Sequence, residues 1–205
     1  MAERAGHERQ SDIAFKMIKE AIINGRFKPG DILQEQEMIE LFKLGRTPIR
    51  EALQKLSVVG LVKSIPHKGV MVAIMSKDDV KDIYEIRCNL DSFAAGLAAS
   101  RASESEIAEL ESLINSPNFK EESKGYYDES LHKAIYKASH NKELIKILND
   151  LYEKSVCMFS IGGLEREQLS NMKNELSEII TAIKAHDVEA ASKAALAHVK
   201  SRDWF

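Results

Sequence analysis

Three side chains in the second half of the chain have the types and spacing of a metal-binding site. Asp128 and His132 lie four residues apart, so on a helix they share one face and point toward a common centre. His198 lies near the end of the chain, on a predicted last helix that can return beside them in a bundle. Carboxylate and imidazole groups form a workable ligand set for Zn, Ni, Mn or Fe. Solvated side chains are the commoner explanation of an Asp-x-x-x-His spacing, and the sequence leaves both explanations open.

A second chemically distinctive group is basic and lies in the stretch from Leu44 to Ala73. Arg46, Arg50 and Gln54 recur at every fourth residue, so they line one side of a predicted helix. Another face has the same period and is apolar, which predicts that it packs inward: Ile49, Ala52, Leu53 and Leu56. A helix with one buried side and one positively charged side is typical of nucleic-acid binding.

The ends of this helix and the segment after it carry their own signals. Arg46 and Thr47 are expected to cap the helix, and the fixed φ of Pro48 suits the first helical position. Gly60 is expected to end the helix. Two strand-like runs follow, joined by four residues with the composition of a turn: Leu61 to Ile65, Pro66-His67-Lys68-Gly69, and Val70 to Ile74.

A short helix with Arg and Thr at its start, followed by a hairpin with a basic tip, is the layout of a winged helix-turn-helix. In that motif the start of the second helix meets base edges in the major groove, and the hairpin touches the backbone or the minor groove. The predicted DNA-contacting residues are Arg46, Thr47, Arg50, Gln54, His67, Lys68 and Gly69. An ordinary αββ part of a protein core is the alternative.

The preceding residues are expected to complete an N-terminal domain over residues 9–75. A first helix is predicted to begin near Ser11 and to end at Asn24-Gly25. Pro29-Gly30 has the composition of a turn into a short extended piece, and residues 35–43 are predicted to form the first helix of the helix-turn-helix pair.

After residue 75 the apolar residues follow the helical period, which predicts an all-helical domain over residues 76–205. Its first helix should run from Ser76 to about Ser100, with a buried stripe of Ile83, Ile86, Leu90, Phe93, Ala94 and Leu97. Ser103 and Glu106 form a capping box for a shorter helix. Four further helices are expected: Tyr126–Ser139, Lys142–Ser160, Leu164–Ala185, and from Asp187 to about Arg202. The fold class is therefore mainly α.

Charge is distributed unevenly between the two predicted domains. The whole chain has a net charge of −3, but residues 1–75 contain 12 Lys and Arg against 9 Asp and Glu. The remainder contains 17 basic against 23 acidic residues. This asymmetry suits a mildly basic DNA-reading domain attached to an acidic second domain.

The rest of the composition predicts a cytoplasmic location without membrane contact. Only two cysteines occur, Cys88 and Cys157, both with apolar neighbours that predict core positions, and they form no CxxC motif. This usage fits a reducing compartment. The charged N-terminus lacks the apolar segment of a signal peptide, and no apolar run approaches the roughly 20 residues that span a bilayer.

Residues 9–75 also resemble the DNA-binding domain of GntR-type bacterial transcription regulators. The resemblance is carried by Phe27-Lys28-Pro29-Gly30-Asp31-Ile32-Leu33, by Arg46-Thr47-Pro48-Ile49-Arg50-Glu51-Ala52-Leu53 and by Gly60-Leu61-Val62. Gly45 departs from the usual Ser of the family and loses a hydroxyl that could reach a phosphate. Lys68 stands where the wing often has Arg and gives up that residue's planar fork.

Residues 76–202 resemble, more loosely, the all-helical FCD domain of the FadR-like branch of this family. The matching features occur in the expected order: Tyr84-Glu85-Ile86-Arg87, Asp128…His132, Ser139-His140-Asn141 and Ala182-Ile183…Asp187…His198. The segment between Leu113 and Tyr126 is shorter than the family pattern. The resemblance implies a domain that dimerises and holds a small effector.

The resemblance also implies roles for individual residues of the second domain. A family member would supply a fourth metal ligand, His, at the position occupied here by Leu176. Asp128, His132 and His198 are expected to hold a divalent metal without it, weakly and in contact with the effector. Arg87 is expected to point into the same cavity and to clamp an effector carboxylate by two parallel hydrogen bonds. A salt bridge to a neighbouring helix is the alternative for Arg87.

The function predicted from the sequence is a homodimeric transcription regulator that binds double-stranded operator DNA. A carboxylate metabolite is expected to modulate its operator affinity, and repression is the expected sign. A constitutive DNA-binding dimer without effector is one alternative. A metal-dependent hydrolase is a weaker one, because no HExxH, GxSxG or phosphate-binding glycine loop occurs. The chain is therefore predicted not to be an enzyme.

Overall fold

A computed structural model of the chain describes residues 9–66, 68–117, 124–162 and 166–201, with the backbone alone at 124–127, 156–162 and 166–170. His67, the side chain of Cys157 and Arg202 lie outside the described parts. The elements in chain order are α1 Gln10–Ile23, β1 Ile32–Leu33, α2 Glu35–Phe42, α3 Arg46–Val58, β2 Val62–Ile65, β3 Gly69–Val72, α4 Lys77–Arg101, α5 Glu104–Ile114, α6 Lys124–Ala138, α7 Lys142–Gly162, α8 Arg166–Lys184 and α9 Val188–Lys200. The mainly α fold class is confirmed.

The described residues divide into two compact units. The first runs to Ser76, and the second is drawn from Lys77–Ser155 and from residue 162 onward. The first unit contains α1 to α3 and a small antiparallel sheet with the strand order β1-β3-β2. The extended piece at Ile32–Leu33 thus adds a third strand to the hairpin, with Ile32 opposite Met71. The winged helix-turn-helix architecture is confirmed.

The start of α3 differs from the sequence prediction. Gly45, with an extended backbone, is the N-cap, and Arg46 is the first helical residue. The backbone N–H of Ile49 closes the first turn on the Gly45 carbonyl at 3.3 Å. Pro48 therefore takes the third helical position, where its missing N–H breaks no intrahelical bond. The predicted apolar face of α3 is buried, and Gly60 follows the helix with φ +81°.

In the second unit, α4 and α9 pack closely through small side chains. A Cβ at Gly96 of α4 would lie 2.4 Å from Ser192 Oγ of α9, so any larger residue would force the Ser192 side chain to move. The Ser92 hydroxyl donates to the Ser192 carbonyl at 2.9 Å. The predicted caps are confirmed for α5, where Ser103 and Glu106 form a capping box, and for α9, where Asp187 accepts from the Ala190 N–H.

Of the six residues in the predicted buried stripe of α4, only Ala94 is buried. Ile83, Leu90 and Leu97 are half-buried, and the other two face solvent. Ile86 is 48% exposed and Phe93 is 52% exposed. The face that turns inward is instead small and polar, since it includes Arg87, Asp91 and a series of alanines. The inward face of α4 carries polar side chains because it lines a buried polar centre. A prediction from hydrophobicity alone therefore selected the wrong side of the helix.

Candidate metal centre and nucleic-acid interface

The three predicted metal ligands come together in the second unit. Asp128 and His132 lie on α6 and His198 on α9, and all three are at least 96% buried. Their ligand atoms all lie within 4.8 Å of one another. The two imidazole Nε2 atoms are 3.3 Å apart, and Asp128 Oδ1 lies 3.6 Å from the nitrogen of His132 and 4.0 Å from that of His198.

The far nitrogen of each imidazole faces a carboxylate. His198 Nδ1 lies 2.8 Å from Glu175 Oε2 of α8, and His132 Nδ1 lies 3.4 Å from Asp91 Oδ1 of α4. A carboxylate at Nδ1 favours the tautomer that carries its proton there, which leaves the Nε2 lone pair pointing inward. The two imidazoles are therefore arranged as acceptors that face each other.

Asp128 is also oriented by an outer partner, which binds the carboxylate oxygen that faces away from the imidazoles. The hydroxyl of Tyr152 on α7 donates to Asp128 Oδ2 at 2.7 Å, so Oδ1 is the oxygen directed at the imidazoles. The Tyr152 ring also stands 5.3 Å from the His132 ring, centroid to centroid. Helices α6 and α7 thereby fix both the carboxylate and one imidazole.

Arg87 lies at this centre, but its guanidinium already has partners. Nε donates to Asp91 Oδ2 at 3.0 Å, Nη2 to Asp91 Oδ1 at 3.4 Å, and Nη1 to Ser155 Oγ at 2.9 Å. Burial alone would raise the pKa of Asp91, yet Arg87 and His132 hold that pKa far below its usual range. Tyr136 donates to the same carboxylate at 2.5 Å. Asp91 is thus a charged hub that neutralises Arg87 and orients His132.

The donor set fits a divalent metal. The edge of a tetrahedron around zinc with nitrogen and oxygen ligands at ~2.0–2.2 Å is about 3.3–3.6 Å, which is close to the two shorter separations. Two inward lone pairs and one carboxylate oxygen repel each other unless a cation or a proton lies between them. The outer carboxylates are those that usually orient metal-binding imidazoles.

Leu176 is fully buried in the apolar core of the second unit. Its neighbour in sequence, Glu175, contacts His198 from outside the centre. The helix that would supply a fourth ligand in the family pattern therefore contributes an orienting carboxylate and an apolar side chain. A metal held by Asp128, His132 and His198 would have its remaining coordination positions open to water or to a ligand.

The predicted DNA-reading residues of α3 are exposed at the surface of the first unit. Arg46, Thr47, Arg50 and Gln54 all lie on the solvent side of the helix. In the wing, Lys68 and Gly69 are exposed, and the Lys68 N–H closes the turn on the Ile65 carbonyl at 3.1 Å. Gly69 has φ +102°, a conformation that favours glycine at this tip. His67 lies outside the described residues.

Sequence reasoning missed four residues that build these sites. Asp91, Tyr152 and Glu175 orient the candidate ligands, and Glu35 pairs with Arg50. A signal existed for one of them. Glu175 and His198 lie equally far from the turn between α8 and α9, so an antiparallel helical hairpin brings them together.

An exposed recognition helix and wing, followed in the chain by a helical domain around a buried polar centre, define a DNA-binding transcription regulator with an effector-binding domain. The chain belongs to the GntR family of bacterial regulatory proteins, in the branch that carries an FCD domain. The family model for bacterial regulatory proteins of the gntR family matches residues 10–72, and the FCD domain model matches residues 82–201.

Individual relatives agree with this membership. The HTH-type transcriptional regulator YdhC of Bacillus subtilis (strain 168) is 30% identical over 194 residues, which cover 90% of this chain and 85% of the relative. The HTH-type transcriptional repressor GlaR of Escherichia coli (strain K12) is 25% identical over 199 residues, 90% of each chain. The E. coli McbR/YncC structure shares the fold, with a TM-score of 0.81, 21% identity and coverage of 95% of both chains.

In the described parts of the chain, no helix combines the length and apolar character needed to cross a membrane.

Proposed function

We propose that this chain is a homodimeric, cytoplasmic repressor whose operator affinity is set by a carboxylate metabolite bound at a divalent metal. Asp128, His132 and His198 hold the metal, with Zn, Ni and Mn as the candidate ions. Its function is binding rather than catalysis. Repression is supported by the name of the GlaR relative, a transcriptional repressor.

The observation that carries the proposal is the convergence of two Nε2 atoms and Asp128 Oδ1 inside the helical domain. Each of the three groups is turned inward by its own outer partner: Glu175, Asp91 or Tyr152. A proton shared between the two Nε2 atoms, which are 3.3 Å apart, would relieve the repulsion of that pair alone, whereas a divalent cation would bind all three groups at once. The metal supplies the positive charge that attracts an effector carboxylate.

Arg87 is the second proposed effector anchor. Its described contacts with Asp91 and Ser155 use three of the five N–H donors of a guanidinium. Two donors remain for a carboxylate at the centre. Because Asp91 neutralises the charge of Arg87, we expect Arg87 to orient the effector carboxylate by hydrogen bonds more than to attract it by net charge.

The proposed operator contacts follow from exposure and charge. Arg46, Arg50 and Gln54 meet base edges or the flanking phosphates, while Thr47 and the wing tip with His67, Lys68 and Gly69 hold the backbone. One such domain covers only a half-site, so a two-fold dimer reads an inverted repeat. The exposed Ile86 and Phe93 of α4 support a dimer surface on the helical domain.

The test combines metal titration with operator binding. Calorimetry with Zn, Ni and Mn on chelator-treated protein should show binding that His132→Ala removes. Gel shifts with the gene's upstream DNA should then change when candidate organic acids are added to the metal-loaded protein. Tight stoichiometric metal that survives His132→Ala contradicts the ligand assignment. If no metal and no organic acid changes the operator affinity, the protein is instead a constitutive DNA-binding dimer.

A further inference from the structure

Arg50 of α3 and Glu35, the first residue of α2, form a two-pronged ion pair. Arg50 Nε donates to Glu35 Oε1 at 2.7 Å, and Nη2 donates to Oε2 at 3.0 Å. The side chain of Arg50 nevertheless keeps 59% of its surface exposed. The guanidinium is therefore held by a partner on the neighbouring helix while it remains accessible to a macromolecule.

The pairing uses only one edge of the guanidinium. The guanidinium has five N–H donors. Glu35 accepts one from Nε and one from Nη2, which lie on the same edge of this planar group. Three donors remain, both on Nη1 and one on Nη2, and the outer edge presents one donor from each of these two nitrogens. Guanine offers O6 and N7 to such a two-donor edge in the major groove. Arg50 can therefore bind Glu35 and a guanine at the same time.

We infer that Glu35 is a positioning residue for operator recognition: it fixes the guanidinium plane of Arg50 so that the outer edge meets a guanine. The inference rests on the proposed contact between Arg50 and the operator. It assigns specificity to an acidic residue outside the recognition helix, which touches no DNA itself.

The sign of the effect separates positioning from a simple charge effect. A carboxylate near the DNA surface repels phosphates, so by charge alone its removal should strengthen binding to every sequence. Positioning predicts the opposite for the operator, because an unheld arginine must be ordered on binding. Ordering one such side chain corresponds to an affinity change of about 2- to 12-fold.

The experiment uses the full chain and a duplex selected by it from a random library, with a shuffled duplex as the second probe. Glu35→Ala should bind the selected duplex about 2- to 12-fold more weakly and bind the shuffled one no more weakly. Glu35→Gln keeps one acceptor and should lie between. Glu37→Ala is the matched control, since it removes the same charge from the same exposed first turn of α2.

The double variant completes the test. In an Arg50→Ala background, Glu35→Ala should no longer weaken binding to the selected duplex. Equal strengthening of both probes by Glu35→Ala, or the same loss with and without Arg50, overturns the positioning role while the Arg50 contact stands. If Arg50→Ala itself leaves selective binding unchanged, the operator contact and the inference both fail. Circular dichroism confirms the fold of each variant, and Glu35→Gln carries the test if the alanine variant unfolds.

Discussion

Leu176 lies fully buried in the apolar core, at the position where the family resemblance implies a histidine ligand. We expect Leu176→His to bind Zn or Ni more tightly than the natural chain, because an additional imidazole joins the three proposed ligands. Without metal, the buried imidazole should destabilise the fold by about 1–3 kcal/mol. Calorimetry and thermal melts with and without metal measure both effects.

The control for this substitution is Leu176→Asn, which places a polar group at the same position without an imidazole. Its stability should fall similarly, and its metal affinity should not rise. A natural chain that already binds zinc as tightly as Leu176→His would show that three ligands saturate the site. Absence of binding heat from either protein would leave Arg87 as the leading effector anchor.

The buried pair of Arg87 and Asp91 gives a second prediction. Asp91→Asn keeps the shape of the side chain but leaves the Arg87 charge uncompensated inside the protein, which costs about 3–5 kcal/mol of unfolding free energy. The exposed Lys81–Glu85 pair has the same i,i+4 spacing on the same helix and is the matched control. Glu85→Gln should change stability by less than about 1 kcal/mol. Urea unfolding compares the two, and equal effects would contradict the role of burial.

At the scale of single helices, the start of α5 predicts a pH effect. The Ser103 backbone N–H and hydroxyl, together with His140, lower the pKa of Glu106 to about 2 from its ordinary 4.5. A lowered carboxyl pKa contributes stability that is present above pH 4.5 and is lost as the pH falls toward 2. Ser103→Ala should cost about 1 kcal/mol near neutral pH. Urea melts should show this difference shrinking as the pH falls from 4.5 toward 2, and a constant difference would exclude the ionised capping box.

The end of α2 predicts a stabilising change. Lys43 follows this helix in the left-handed conformation, with φ 56°, where a side chain is unfavourable and glycine is not. Lys43→Gly should therefore raise the unfolding free energy by about 0.5–1 kcal/mol. Gly60→Ala is the control of opposite sign, because Gly60 has φ +81° after α3. Urea unfolding that shows Lys43→Gly to be destabilising would refute the argument.

The elements themselves were predictable because their signals are local. The period of Ile49, Ala52, Leu53 and Leu56 and the Ser103–Glu106 box determine helices without reference to distant residues. The inward face of α4 was not predictable from hydrophobicity. Its inner side lines a polar centre and its outer side carries exposed apolar residues, and both features break the rule that apolar residues face the core. Partners such as Glu175 for His198 depend on tertiary packing, which sequence spacing reveals only once a helical hairpin is assumed.

At the scale of the whole molecule, the small basic surplus of the first domain supports the proposed dimer with two DNA-binding domains. Residues 1–75 exceed neutrality by only three charges, which is a small electrostatic contribution for a single domain on DNA. Two copies double the contacts and tie affinity to the spacing of two half-sites. An effector can then act by favouring one pose of the paired domains, provided that it binds the two poses with different affinity.

The proposed dimer surface on α4 can be tested by a single charge. Ile86 and Phe93 lie two turns apart on one side of the helix and are both about half exposed, so they form a shared apolar patch, whereas a single exposed apolar side chain is common on protein surfaces. Phe93→Glu should produce a monomer at micromolar concentration, because a carboxylate would face its own symmetry mate in a two-fold interface.

Ile147→Glu on α7, where the natural side chain is 48% exposed, is the control and should remain dimeric. Analytical ultracentrifugation reads the mass, and gel shifts should show that the monomer loses the inverted repeat while keeping weak binding to any duplex. A dimeric Phe93→Glu protein would move the interface to another face of the helical domain.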